Sequence, residues 1–262
     1  MAKYSIDNIT EEKLPSQTLR KYYSSCKKII ASKHGSYPGF DFTDLDYIFE
    51  VACNNRGLFT AINTVENPTP ETYINRWILS YCNAMNNLPS KKEAAPKSSC
   101  NDPVIQTMVK SACGITDSEV AKQVDSHNLF MSAENVLGNL LEEYIAQKIR
   151  PYKWVWCAGT TLRAIDFCNE DGTTLLQIKN KNNSENSSSS NIREGTTIKK
   201  WYRLSTSKRG GKISPAFKWS NLNDIINDNL PEGLDLLELT EDDFQKYIST
   251  VVKANPNIIT KE

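Results

Sequence analysis

Between residues 161 and 190 the chain alternates apolar and polar positions in two short runs, RAIDF and LLQIK, on either side of an Asp171-Gly172 dipeptide. A period of two predicts strands, and Asp-Gly is a favoured hairpin turn. Centring the reversal on that dipeptide sets Glu170 opposite Thr173, Asp166 opposite Gln177 and Ala164 opposite Lys179. Successive side chains of a strand point to opposite faces. Asp166, Gln177 and Lys179 then share one face, while Ile165, Phe167, Leu176 and Ile178 occupy the other and can enter a core. A four-residue loop over 169–172 shifts the pairing by two and preserves the faces. Only an odd slip scrambles them, and that slip exposes the apolar set.

Elsewhere the apolar period is helical. A helix follows Pro15, with Leu19, Tyr22, Tyr23, Cys26, Ile29 and Ile30 on one face, and a second starts at a Thr43 cap and stops near residues 54–57. Residues 70–87 form a third, opened by Pro70 and Glu71; its stripe of Tyr73, Trp77 and Tyr81 reads as core rather than as a stacking surface. LPSKKEAAPKSSCND (88–102) breaks the periodicity and is the clearest boundary, dividing a mostly helical region, 1–100, from a second region, 101–262. Beyond it, residues 103–113 are helical and Gly114 turns the chain. A Thr116-x-x-Glu119 capping box then starts a short helix to about Val124. With Lys122 as the one base on its second helix, this pair reads as packing rather than DNA-reading. Ser132 caps a strong helix ending before Pro151, and KWVWCAG (153–159) is a candidate strand. Residues 196–205 form a strand or a helix followed by a strand, 208–212 (KRGGK) a flexible basic loop, and two helices close the chain.

Composition narrows the class without choosing within it. The 262 residues are 39% hydrophobic and 24% charged, enough for one large domain or two modest ones. No run approaches the roughly 20 apolar residues of a membrane helix, and the N-terminus lacks the apolar stretch of a signal peptide, so the expectation is a cytoplasmic protein with no membrane partner. Seven cysteines without close-spaced pairs, and two distant histidines, argue against a Cys/His zinc site. Net charge is zero but unevenly spread. Residues 179–218 carry ten basic and two acidic side chains, and 221–262 carry nine acidic and three basic. A basic surface for a polyanion, balanced by an acidic tail, is the reading this asymmetry favours.

The face shared by Asp166, Gln177 and Lys179 gives that polyanion a chemistry. A carboxylate and an amide oxygen can hold a hard divalent cation such as Mg2+. An adjacent ammonium can orient a water and offset phosphate charge, so the parts needed for phosphodiester hydrolysis are present. One carboxylate is a thin ligand set. A second acid is needed, and the preceding helix offers Glu134, Glu142 and Glu143.

A helix bearing Glu, a strand, an Asp-bearing strand, a turn and an acid-x-Lys strand is the order of the PD-(D/E)xK nuclease core, which this segment resembles. Ile165-Asp166 stands for its first motif and Gln177-Ile178-Lys179 for its second. More narrowly, IKNKNNSENSSSS followed by IREGTTIKKWYR resembles type II restriction endonucleases of the SinI/AvaII kind, over roughly residues 130–205; the first 100 residues match nothing in that pattern. Two departures stand out. Ile165 replaces proline, without consequence for the chemistry, and Gln177 replaces an acid, which throws weight onto the helical glutamate. Gly138-x-x-x-Glu142 is similar to the superfamily's helix signature, with Glu134 in reserve.

The resemblance implies an α/β (α+β) fold with a central mixed sheet flanked by helices and an N-terminal, mostly helical region. It implies Mg2+-dependent cleavage of both strands of double-stranded DNA at a short palindromic site, GGWCC or GGNCC, by a homodimer, with a separate methyltransferase protecting host DNA. Asp166, Gln177 and Glu142 would hold the metal and Lys179 would handle the nucleophile. DNA contacts are expected from Asn180, Lys181, Asn182, Asn183, Ser184, Asn186, Ser187, Ser188 and Ser189, and from Arg193, Lys199, Lys200 and Arg203, through amides to base edges and cations to phosphates. A repair or nicking nuclease of the same superfamily, or a non-catalytic DNA-binding protein with a degenerate nuclease fold, are the alternatives.

Overall fold

The hairpin forms in the register that the Asp-Gly turn predicts. In the computed structural model, Phe167 pairs with Leu176 and Cys168 with Leu175. Residues 3–32, 37, 40–63, 68–94, 102–181, 197–209, 212–228 and 230–259 are described. The reversal itself is tight, with the Gly172 amide donating to the Asn169 carbonyl at 3.0 Å. Gly172 adopts φ +71, and a Cβ there would stand 2.8 Å from a methyl of Val51, so glycine is required on both counts.

Naming elements in chain order, the first of two compact units comprises 1–87 and 145–240. Its N-terminal part holds β1 (Lys3–Tyr4), α1 (Ser16–Ser32), α2 (Thr43–Asn54), β2 (Ile62–Asn63) and α3 (Pro70–Asn86). Helix α1 buries Leu19, Tyr23, Cys26 and Ile30, a spacing of three and four that makes one apolar stripe. Thr43 is the first helical residue of α2 and not its cap; Asp41 serves instead, its carboxylate accepting the Thr43 amide at 2.9 Å. Helix α3 opens on a capping box between Thr69 and Thr72, and Tyr73, Trp77 and Tyr81 are all buried.

The same unit carries a five-stranded sheet, β3 (Trp154–Trp156), β4 (Phe167–Asn169), β5 (Leu175–Lys181), β6 (Ile198–Arg209) and β7 (Lys212–Phe217), in that spatial order, and then α6 (Trp219–Asn227). β5 and β6 run parallel and the other neighbours antiparallel, so the sheet is mixed and the architecture α+β, as in a restriction-endonuclease-like core. Residues 198–205 lie on β6 with no helix among them, and β6 and β7 pair as far as Arg209↔Lys212; residues 210–211 of the expected basic loop lie outside the described residues. Pro215, which lacks an N–H, stands on the edge strand β7, where a missing donor is tolerated.

The helical N-terminal part is not a body of its own. Leu45, Phe49, Trp77's neighbours Ile74 and Ile78, and Val155, Cys168 and Leu175 of the sheet belong to one apolar core. Polar ties reinforce it. Trp77 donates its indole N–H to the Thr161 carbonyl at 2.9 Å, and Arg150 joins Asp44 of α2 (2.9 Å) to Glu170 of the hairpin (2.7 Å). A boundary at residue 100 therefore gives way to one at 87/88, because burial of the α1–α3 faces depends on the sheet.

The second unit comprises 88–144 and 241–262, with α4 (Pro103–Cys113), α5 (Asp117–Ile149, shared between units at residue 144) and α7 (Glu241–Ala254). The Thr116–Glu119 capping box forms as expected. Helix α5 then runs unbroken through Ser132, which caps nothing. Residues 117–137 contain no Gly or Pro, so nothing forces an end, and the Asp, Ser and Asn residues that favour caps are carried inside the helix. Leu140, Val251 and Ile258 form this unit's core, and Tyr144 packs 5.2 Å from both Phe244 and Tyr247. Among the described residues, no helix is long and apolar enough to cross a membrane.

Candidate active site on the sheet

Asp166 immediately precedes β4, and its position follows from the backbone around it. Ala164 takes the left-handed φ of 60, which ends the regular extension before the strand. Asp166 is then held on both sides: its amide donates to the Leu176 carbonyl and its carbonyl accepts the Cys157 amide, each at 2.9 Å. Its side chain takes over the ladder, Oδ2 accepting the Ile178 amide at 2.7 Å. Among the described residues Oδ1 makes no hydrogen bond. Burial pushes the carboxyl up to about 6, against the opposing pull of the Ile178 amide and the Lys179 ammonium.

The strand register decides which other side chains join it. Leu176 and Ile178 are buried on one face of β5, and Phe167 is buried with them, as the alternation requires. Gln177, buried, and Lys179, half-buried, are on the other. The parallel ladder sets Gln177 beside Lys200 and Lys179 beside Tyr202. Lys200 is exposed and Tyr202 half-buried. One sheet face thus presents Asp166, Gln177 and Lys200 in a row, with Lys179 and Tyr202 about 7 Å further along the strands, two residues at roughly 3.3 Å each. Lys181, exposed at the end of β5, follows on that face beside Leu204.

The other basic residues expected to contact DNA fall differently. Lys199 and Arg203 alternate onto the opposite face of β6. Lys199 pairs with Asp228 at 3.1 Å. Arg203 is 7% exposed, donates to Oδ1 of Asn180 at 2.9 Å and lies over the Phe217 ring at 5.5 Å. Asn180 and Arg203 accordingly form a buried-edge pair on the face away from Lys179. Asn182, Asn183, Ser184, Asn186, Ser187, Ser188, Ser189 and Arg193 lie outside the described residues.

The glutamates of α5 separate by burial. Glu134 is exposed and Glu142 half-buried. Glu143, one of the acids that the helix offered, is 2% exposed: its carboxylate accepts the Ser90 amide at 2.8 Å and the Ser90 hydroxyl at 2.5 Å. Ser90, like Glu143, belongs to the second unit, where Asn255 also donates to the carbonyls of Ser90 and Lys92. Glu143 is therefore a structural staple for the 88–94 segment.

Among the described residues no three His, Cys, Asp or Glu side chains converge into a metal cage. The donor set still suits a hard cation that retains waters. Asp166 is a carboxylate whose charge is disfavoured by burial, with Oδ1 without a bond among the described residues, and Gln177 adds an amide oxygen on the same face. Mg2+ is commonly held by one or two carboxylates, with water and substrate phosphate completing the shell. Tyr202 was invisible to sequence reasoning, because its place depends on a parallel pairing between two strands separated by 16 residues. The periodicity of KKWYR, with Trp201 inside, was the one available signal.

The chain is similar to known restriction enzymes. A family model described as SinI restriction endonuclease matches residues 74–254. The type II restriction enzyme Eco47I of Escherichia coli is 36% identical over 161 residues, covering 60% of this chain and 64% of that enzyme. The type II restriction enzyme SinI of Salmonella infantis is 34% identical over 166 residues, covering 62% of this chain and 66% of that enzyme. The match thus spans a little under two thirds of each relative. The family-model match reaches upstream of the strands into α3 and downstream through α7.

Proposed function

The chain belongs to the SinI restriction endonuclease family, and from that premise we propose that it is a type II site-specific deoxyribonuclease that hydrolyses both strands of double-stranded DNA. The observation that carries the reading is the placement of Asp166, Gln177 and Lys179 on one sheet face by the β4–β5 register. The substrate is a short palindromic G/C-containing site, GGWCC or GGNCC, and a two-fold target is matched by a homodimer on DNA. A separate methyltransferase protects host DNA.

In this reading Asp166 and Gln177 would hold a divalent cation, Mg2+. When bound, the cation supplies Lewis-acid polarisation of the scissile phosphate. Lys179 holds the attacking water in line and balances charge that develops on the phosphate oxygens. The water oxygen bonds to phosphorus, a bridging phosphorus–oxygen bond breaks, and the departing oxygen takes a proton. Lys200 and Lys181 extend positive charge along the same face for backbone phosphates.

Digestion of a mapped supercoiled plasmid in Mg2+ tests the reading. Discrete fragments ending at GGWCC or GGNCC sites are expected, and structure-dependent nicks point to a repair or nicking nuclease instead. Gln177 in place of an acid favours a second reading, a DNA-binding protein without catalysis. Site-specific binding with no cleavage in Mg2+ or Mn2+ is its signature.

A further inference from the structure

The alternation of β6 leaves one side chain without a role in either the core or the reading above. Trp201 and Arg203 are buried on one face, with Trp201 donating its indole N–H to the Lys218 carbonyl at 2.8 Å. Tyr202 lies between them in sequence and points the other way. Its ladder partner is Lys179, in a parallel pairing that runs unbroken from Leu175↔Ile198 to Lys179↔Tyr202. Adjacent strands lie about 4.8 Å apart and ladder partners share a face. The phenol therefore stands directly beside the lysine of the candidate site, on the surface that also carries Asp166 and Gln177.

Resting on the nuclease reading, we propose that Tyr202 is a further catalytic residue whose hydroxyl donates to the scissile phosphate beside Lys179. Three features of its surroundings favour that role over simple packing. The residue is half-buried rather than enclosed, so the ring is braced and one end stays accessible. Lysine and tyrosine have similar reach, so an ammonium and a hydroxyl arrive together at one level above the sheet. Both are donors to an anionic oxygen: the ammonium carries charge, and the phenol adds a directional hydrogen bond without a second charge. Lys200, one row back beside Gln177, gives the same strand of DNA a second cationic contact. The site then spans β4, β5 and β6, and recognition of the scissile phosphate is shared between Lys179 of β5 and Tyr202 of β6.

Tyr202→Phe tests this with the ring and its packing retained. The probe is supercoiled plasmid containing GGACC, GGTCC and GGGCC sequences, cleaved with enzyme in excess in Mg2+. Affinity for a duplex excised from the same plasmid is measured separately in Ca2+. The expected result is a cleavage rate constant lower by about tenfold or more, the scale of losing one neutral donor to developing charge, with affinity within about twofold of wild type and an unchanged melting temperature. A wild-type rate in Tyr202→Phe overturns the assignment and leaves the nuclease reading standing. So does a loss that appears only in affinity or in melting temperature, since packing or ground-state binding alone would produce it. Wild-type protein that leaves the plasmid intact in both Mg2+ and Mn2+ overturns the nuclease reading, and the role of Tyr202 falls with it.

Discussion

The Asp166 carboxylate accepts the backbone amide of Ile178 at 2.7 Å, a side chain completing the hydrogen bonding of the neighbouring strand. That bond fixes the acid in place while burial raises its proton affinity, so that its carboxyl is pushed up to about 6. The folded metal-free protein binds this proton more tightly than the unfolded chain. The associated stabilisation is complete below about pH 4 and lost as pH rises to about 6. Above pH 6 the ionised carboxylate is a cost to the fold. Asp166→Asn, which keeps an oxygen for the Ile178 amide, should abolish cleavage yet raise stability in EDTA at pH 8, by up to about 3 kcal/mol for a shift of about two units. Denaturation in urea at pH 8 and at pH 4 checks both halves. Equal stability gains at the two pH values contradict the assignment.

Gly159 touches α3 more closely than any other residue type allows. It adopts φ +70, and a Cβ would sit 2.5 Å from the Ser80 carbonyl oxygen, which is backbone and cannot swing aside. The Ser80 hydroxyl donates to the Gly159 carbonyl at 2.6 Å. Gly159→Ala should destabilise the protein by about 3 kcal/mol or more, combining the strained backbone with the clash. The midpoint of chemical denaturation reads this out directly.

Glu143 holds two donors of Ser90 inside the second unit. Glu143→Ala leaves both without that acceptor in a half-buried place and should cost about 1–3 kcal/mol. Ser90→Ala, which removes only the hydroxyl, should cost less. A double-mutant cycle is expected to show coupling on the order of 1 kcal/mol; additive costs would mean that Glu143 acts elsewhere.

Lys199 and Lys200 are adjacent in sequence and opposite in orientation. Lys200→Ala should weaken binding of duplex DNA and lower the slope of log affinity against log salt by about 1, as for one lost phosphate contact. Lys199→Ala should change the slope less, because Lys199 faces away from the site and is engaged by Asp228 at 3.1 Å. Titrations in Ca2+ over a range of salt distinguish the two. A larger effect at Lys199 would place DNA on the other face of the sheet.

The parts of this structure legible in the sequence are those set by local rules. The hairpin register follows from Asp171-Gly172 and from the cost of exposing Phe167, Leu176 and Ile178, and it locates Asp166, Gln177 and Lys179 together. The start of α3 at Pro70, the capping box at Thr116 and the acidic first turn of α7 are equally local. What was not legible depends on distant partners. Tyr202 needs the β5–β6 pairing, Arg203 is buried because Asn180 and Phe217 receive it, and Glu143 is internal because Ser90 comes to meet it. Ser132 misled because cap preference speaks only where a helix ends for another reason. The region 1–100 seemed separable because its helices are amphipathic on their own, and nothing within them says which surface they cover.

That last arrangement has a consequence for synthesis. The apolar core of the first unit draws on Leu19, Ile48 and Trp77 and also on Val155, Cys168 and Leu175. Helices α1–α3 pack on one another as well as on the sheet, so the part of their apolar surface that the sheet covers stays open until the hairpin follows them. At about 5–20 residues per second the wait is on the order of ten seconds. A nascent chain of this protein thus closes its core and completes the face carrying Asp166, Gln177 and Lys179 at the same late stage of synthesis.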